Sequence, residues 1–215
     1  MTKNLSGLVA DQRTALHGVL RNWIKTNLHV ADTWEGIDAP WWYNERASLS
    51  VLAGAIWRCG GIAFEEFSEV KFHAKRREGP RESYRGRCDI HFQVGSKDFV
   101  AEAKYGYSGA TARNADVVPK IAHLLDDARK ATGRLAPNGQ CRLAMVFIAP
   151  YFTQKFKGDE EAMMNRWIKK IREVPCSAKA WVFPATARGL QPMGGGYYHP
   201  GAAIFIQNVQ RSIRG

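Results

Sequence analysis

Two short runs of alternating polarity, 88–94 (CDIHFQV) and 98–105 (DFVAEAKY), meet at Gly95-Ser96, and they constrain the fold more than any other feature. Alternation with period two marks a strand with one buried face. A glycine-containing break between two such runs marks a hairpin. A two-residue loop pairs Val94 with Lys97 and, counting outward, sets Asp89 opposite Glu102. A four-residue loop sets Asp89 opposite Lys104 instead. In either register Ile90, Phe92, Val94, Phe99, Ala101, Ala103 and Tyr105 make an apolar face, and Asp89, His91, Gln93, Val100, Glu102 and Lys104 make the other. An odd loop or a bulge would separate the two acids.

The remaining elements fit around this hairpin. Leu16, Val19, Leu20, Trp23 and Ile24 repeat at helical spacing and predict a helix from about Asp11 to Thr26. Residues 30–43 read as irregular. A second helix is expected over 44–58, stopped by Gly60-Gly61, followed by a strand over Ile62–Phe72 and a polar loop or strand extension over His73–Arg87. Helices at 115–132 and about 159–172 alternate with strands at 142–149, 179–184 and near 202–208. The expected class is α/β: a central mixed β-sheet flanked by helices, with an additional N-terminal helix. No repeat or long linker divides the 215 residues, so a single domain is expected.

Charge narrows the partners. The chain carries 31 Lys+Arg against 20 Asp+Glu, a net +11, which favours polyanions and nucleic acid first among them; a cationic surface without a partner is the plain alternative. The start, MTKNLSGLVADQR, has no apolar core of a secretory signal, and no run approaches the ~20 apolar residues of a membrane span. Cys59, Cys88, Cys141 and Cys176 lie far apart without a C-x-x-C pair, so reduced thiols and a cytoplasmic protein are expected.

Two carboxylates about 5 Å apart on one hairpin face repel unless a cation or proton lies between them. Asp89 and Glu102 suit Mg²⁺, with Mn²⁺ as a substitute, because these ions take oxygen ligands and keep waters. Lys104, on the same face, could hold a water beside the metal, as phosphodiester hydrolysis needs. The ordinary alternative is an amphipathic hairpin whose solvent face carries an ion-pair cluster.

The helix–strand–strand–strand order, with Asn44-Glu45-Arg46, Arg87-Cys88-Asp89-Ile90 and Ala101-Glu102-Ala103-Lys104 placed along it, resembles the PD-(D/E)xK nuclease superfamily with its restriction-endonuclease-like core. The resemblance covers roughly 44–185, leaving 1–43 as a helical extension and 186–215 as a C-terminal strand extension. It implies that Asp89, Glu102 and the Ala103 carbonyl are metal ligands and that Lys104 positions the nucleophilic water. Glu45 would add a helical carboxylate, directly or through water. Cys88 stands where many members have proline.

Several neighbours have two readings. Glu45 is also a residue that a helix N-terminus favours for electrostatic reasons, and His91, on the Asp89 face where it could approach substrate, reads as a polar surface residue. Between Lys71 and Arg87 seven Lys/Arg face two Glu, so Lys75, Arg76, Arg77, Arg81, Arg85 and Arg87 are expected to grip phosphates. Trp41, Trp42 and Tyr43 are expected as packing anchors, with base stacking as the alternative. Gly194-Gly195-Gly196 lacks the Lys-Ser/Thr of a phosphate loop. The combined expectation is a Mg²⁺-dependent DNA endonuclease, acting on double-stranded DNA or on branched or single-stranded forms, as a monomer or homodimer. A Holliday-junction resolvase or nicking enzyme, an RNA substrate, and an inactive nucleic-acid-binding or assembly protein are the alternatives; roles in restriction, phage defence, repair or mobile-element processing follow from the resemblance.

Overall fold

The computed structural model describes residues 3–73, 82–110, 116–136, 138–153, 160–189 and 196–209. A mixed sheet crosses the molecule in the order β1-β6-β8-β5-β4-β3-β2. These are β1 (Leu5–Val9), β2 (Ile62–Phe72), β3 (Ser83–Val94), β4 (Lys97–Gly109), β5 (Cys141–Thr153), β6 (Ala178–Phe183) and β8 (Ala202–Asn208), with a short β7 (Tyr197–Tyr198) on the end of β5. Among the described strands only the β4–β5 pair is parallel. Between these two strands runs α3 (Val117–Thr132), the crossover helix that parallel neighbours require.

Helices cover both faces. On one face α1 (Ala15–Thr33) and α2 (Glu45–Arg58) share a core with the sheet, in which Leu20, Trp23, Leu52 and Ile56 join Ile90, Phe92, Ala101 and Ala103 of the hairpin. On the other, α3 and α4 (Glu160–Glu173) pack Ile121, Met164 and Trp167 against Val146, Ile148 and Phe205. The α/β class, the mixed sheet and the flanking helices thus agree with the sequence pattern. No described helix is long and apolar enough to cross a membrane.

Three differences from expectation have physical reasons. First, α1 begins at Ala15 and continues to Thr33, because the buried stripe runs on through Asn27 and Ala31. Asn27 is tolerated inside since its side-chain amide donates to the Trp23 carbonyl at 2.8 Å. Second, the N-terminal segment holds a strand as well as a helix. β1 pairs antiparallel with β6 at the sheet edge, and its central Gly7 lies so close to the Trp181 ring that a Cβ would come within 2.4 Å of it. Third, the C-terminal strand is not peripheral. β8 is inserted between β6 and β5, and Ala203 to Ile206 are fully buried.

One buried cation ties a helix end to this sheet. Lys179 on β6 donates from Nζ to the carbonyls of Arg172 (2.8 Å), Val174 (2.5 Å) and Ile171 (3.3 Å), groups that the end of α4 leaves unserved. Lys179→Met should cost ~2–3 kcal/mol, because the carbonyls stay buried without a donor. Urea unfolding measures this, and an unchanged midpoint would contradict the capping role.

Candidate active site at the fork of the sheet

The hairpin register is that of the two-residue loop, running from Val94↔Lys97 to Ile90↔Ala101. There the two strands part. β3 stays on β2 as far as Ser83, and β4 stays on β5 as far as Gly109. The next expected rung, Asp89 opposite Glu102, does not form. Ala103 therefore loses β3 as a ladder partner, and buried backbone groups need replacements. Two side chains supply them: Asp89 Oδ2 accepts from the Ala103 N–H at 2.6 Å, and Lys104 Nζ donates to the Ala103 carbonyl at 2.6 Å.

β2 bends at the same level. Its pairing skips the rung between Glu65↔Ile90 and Phe67↔Cys88, and Glu66 adopts a left-handed φ of 53°. That conformation costs a non-glycine residue ~1–2 kcal/mol. Arg46 on α2 (3.2 Å) and Arg87 on β3 (3.7 Å) both pair with the Glu66 carboxylate there. The bend breaks the strand's alternation: Phe64 and Phe67, three residues apart, share a face with ring centroids 6.4 Å apart. Beyond it, Cys88 is buried against Val100 and Leu135, and its thiol pKa is pushed up to about 12, chiefly by burial.

This bend also delivers a residue that strand alternation did not reveal. Lys71 Nζ lies 2.7 Å from Glu102 Oε1, with both side chains largely buried. Burial raises the Glu102 pKa above its ordinary value, Lys71 opposes the rise, and the Asp89 charge adds to it. The half-buried Glu45 is raised too. Desolvation is the main cause, Lys104 pulls the other way, and Asp89, Glu102 and Glu66 reinforce it. Glu45, Asp89, Glu102 and Lys104 thus share one electrostatic neighbourhood around the fork.

Glu45 reaches the fork because its helix start is held in place. Asn44 Oδ1 accepts from the Ala47 N–H (3.1 Å) and caps α2. The preceding 3-10 turn, Pro40–Trp42, is clamped to β4, the strand that carries Glu102 and Lys104. Tyr105 Oη donates to the Trp41 carbonyl (2.6 Å), and Tyr107 Oη lies 3.1 Å from the Trp42 carbonyl and 3.3 Å from that of Tyr43. Both indole N–H groups, of Trp41 and Trp42, donate to the His199 carbonyl at 2.9 Å. The two tryptophans are packing anchors, 2% and 8% exposed, whereas Tyr43 remains 52% exposed and bonds Asp38.

The basic segment is seen only in part. Arg85 and Arg87 are exposed on the β3 arm beyond the fork, while Lys75, Arg76, Arg77 and Arg81 lie outside the described residues. His91 bonds Asp98 at 2.6 Å and rests on the Phe67 ring, so it stabilises the hairpin.

Among the described residues no three His, Cys, Asp or Glu side chains stand close enough, as placed, to enclose a metal ion. The donor chemistry nonetheless fits a hard divalent cation: Asp89, Glu102 and the Ala103 carbonyl offer oxygens on adjacent strands, with Glu45 close by. Two ammonium groups now lie on those oxygens, Lys71 on Glu102 and Lys104 on Ala103. The chain matches no protein-family model, and no curated protein or solved structure shows significant similarity to it.

Removing one clamp hydroxyl should free the helix start. Tyr107→Phe is expected to speed amide hydrogen exchange over 39–47 and to cost ~1 kcal/mol; unchanged exchange there would contradict the clamp. His199 gives a second test. Its imidazole lies against Tyr107 and Tyr151, and burial lowers its pKa below 6.5, with a hydrogen bond to the Pro150 backbone opposing. The unfolded chain then binds a proton that the folded one refuses. Stability should hold above pH 6.5 and fall as pH drops from there through the depressed folded value. His199→Gln should flatten that slope in urea titrations.

Proposed function

We propose that the chain is a metal-dependent DNA endonuclease of the PD-(D/E)xK type, with the restriction-endonuclease-like core that this implies. One observation carries the reading: where β3 parts from β4, Asp89 and Lys104 both bond the backbone of Ala103 beside the buried Glu102, and Glu45 lies within reach of their charges. An exposed ion-pair cluster, the ordinary alternative, would leave these groups in water, yet Glu102 is only 5% exposed. Burying an acid is costly unless a cation offsets it; Lys71 offsets Glu102 in this structure, and a divalent ion could take that role.

Asp89, Glu102 and the Ala103 carbonyl would hold Mg²⁺ or Mn²⁺, with Glu45 as a further ligand directly or through water. The bound ion supplies Lewis acidity and lowers the pKa of a coordinated water. Lys104 does the rest of the positioning. Its ammonium, which holds the Ala103 carbonyl in the metal-free site, would turn to the attacking water once an ion takes that carbonyl, and would offset charge on the phosphoryl oxygens. Asp89 keeps its orientation through the Ala103 N–H. Arg85 and Arg87, on the same arm as Asp89, grip the backbone phosphates on either side.

A second reading, an inactive nucleic-acid-binding or assembly protein, draws on the Lys71–Glu102 pair, where an ammonium already neutralises a proposed ligand. Supercoiled plasmid separates the two. Nicking or linearisation in Mg²⁺ or Mn²⁺, abolished by EDTA and reduced at least ~100-fold in Asp89→Ala and Lys104→Ala, supports the nuclease. Retention without cutting, steeply dependent on salt, supports the binder. The absence of cleavage on plasmid, linear, single-stranded and four-way-junction DNA would overturn the nuclease reading.

A further inference from the structure

We infer that Lys71 is the resident counter-cation of Glu102 and that a divalent ion takes this carboxylate only by displacing it. The inference rests on the metal-dependent reading above and adds a device that controls how the site is loaded.

The geometry gives Lys71 this position. Its Nζ sits 2.7 Å from Glu102 Oε1, and the two side chains are 14% and 6% exposed, so little water screens the pair. The other buried acid of the arm, Glu69, already has partners: its Oε1 accepts from Asn138 Nδ2 at 2.8 Å and from the Val70 N–H at 2.9 Å. Lys104 differs from Lys71 in its hold, because it rests on the neutral carbonyl of Ala103.

A divalent ion bonds carboxylate oxygens at about 2.1 Å, so it and an ammonium at contact distance on the same buried carboxylate would repel strongly. One must leave. The backbone of Lys71 stays paired with Tyr84 and bridged to Leu135, so the sheet is kept and only the side chain has to swing. Released from Glu102, its ammonium becomes a donor for an anionic oxygen of substrate. Metal and phosphate would then favour each other: the ion frees Lys71, and a phosphate that holds Lys71 frees Glu102. Such coupling is reciprocal by linkage.

Amine labelling of the full wild-type chain tests this without relying on cleavage. Reductive methylation with formaldehyde and borohydride, followed by peptide mass spectrometry, reads the reactivity of Lys71, while Mn²⁺ binding is followed separately by electron paramagnetic resonance. Lys71 should react slowly in the metal-free protein and at least about fivefold faster at saturating Mn²⁺ or Mg²⁺, the lower range of ordinary coupling. Glu102→Gln should show the fast rate with no metal present. Rapid labelling of metal-free wild type would overturn the ion pair, and Mn²⁺ binding with an unchanged Lys71 rate would overturn displacement while leaving the metal reading intact. No bound Mn²⁺ at millimolar concentration would overturn the metal reading itself, and this inference with it.

Discussion

The backbone of Ala103 is the point on which the site depends. A strand that leaves its neighbour exposes an N–H and a carbonyl, and in a buried sheet both must be satisfied. Here the replacements are an acid from the departing strand and a lysine from the next residue. The fork therefore orders Asp89 and Lys104 without extra structure around them. The bend at Glu66 on β2 accompanies the parting, and Arg46 and Arg87 hold it. Fold and proposed site are one problem in this protein: Asp89, Glu102 and Lys104 stand where the ladder ends.

Much of this was legible in the sequence. Period-two alternation and Gly95-Ser96 predicted the hairpin, and its two-residue register is the observed one. The apolar set Ile90, Phe92, Phe99, Ala101 and Ala103 does form the buried face toward α1 and α2. Asn44 before Glu45 marked the start of α2, where it caps the helix. Each of these is a local pattern, decided by neighbours a few residues away.

What remained hidden depends on distant parts of the chain. Pairing counts could not show that the ladder stops one rung early, because the parting goes with a bend in β2 more than twenty residues upstream. Strict alternation likewise could not bring Lys71 to Glu102, since the faces reverse beyond the left-handed Glu66. Tyr105 read as an apolar-face residue and Tyr107 lay beyond the predicted run, yet their hydroxyl bonds cross about sixty residues to the turn before α2. β8 looked like an appendage because its seven residues come last, but it is central to the sheet. The +11 charge also gains a local meaning. Cations stand against the acids at the fork, on Glu102 and around Glu66, and are not only a coat for polyanions.

The central claim is that the fork is a divalent-cation site built on Ala103. Anomalous diffraction from crystals grown with Mn²⁺ tests it most directly. The account predicts one strong peak about 2.1 Å from carboxylate oxygens of Asp89 and Glu102 and from the Ala103 carbonyl, with Lys71 moved off Glu102. A fork without a peak at saturating Mn²⁺, with Lys71 still paired to Glu102, would contradict it.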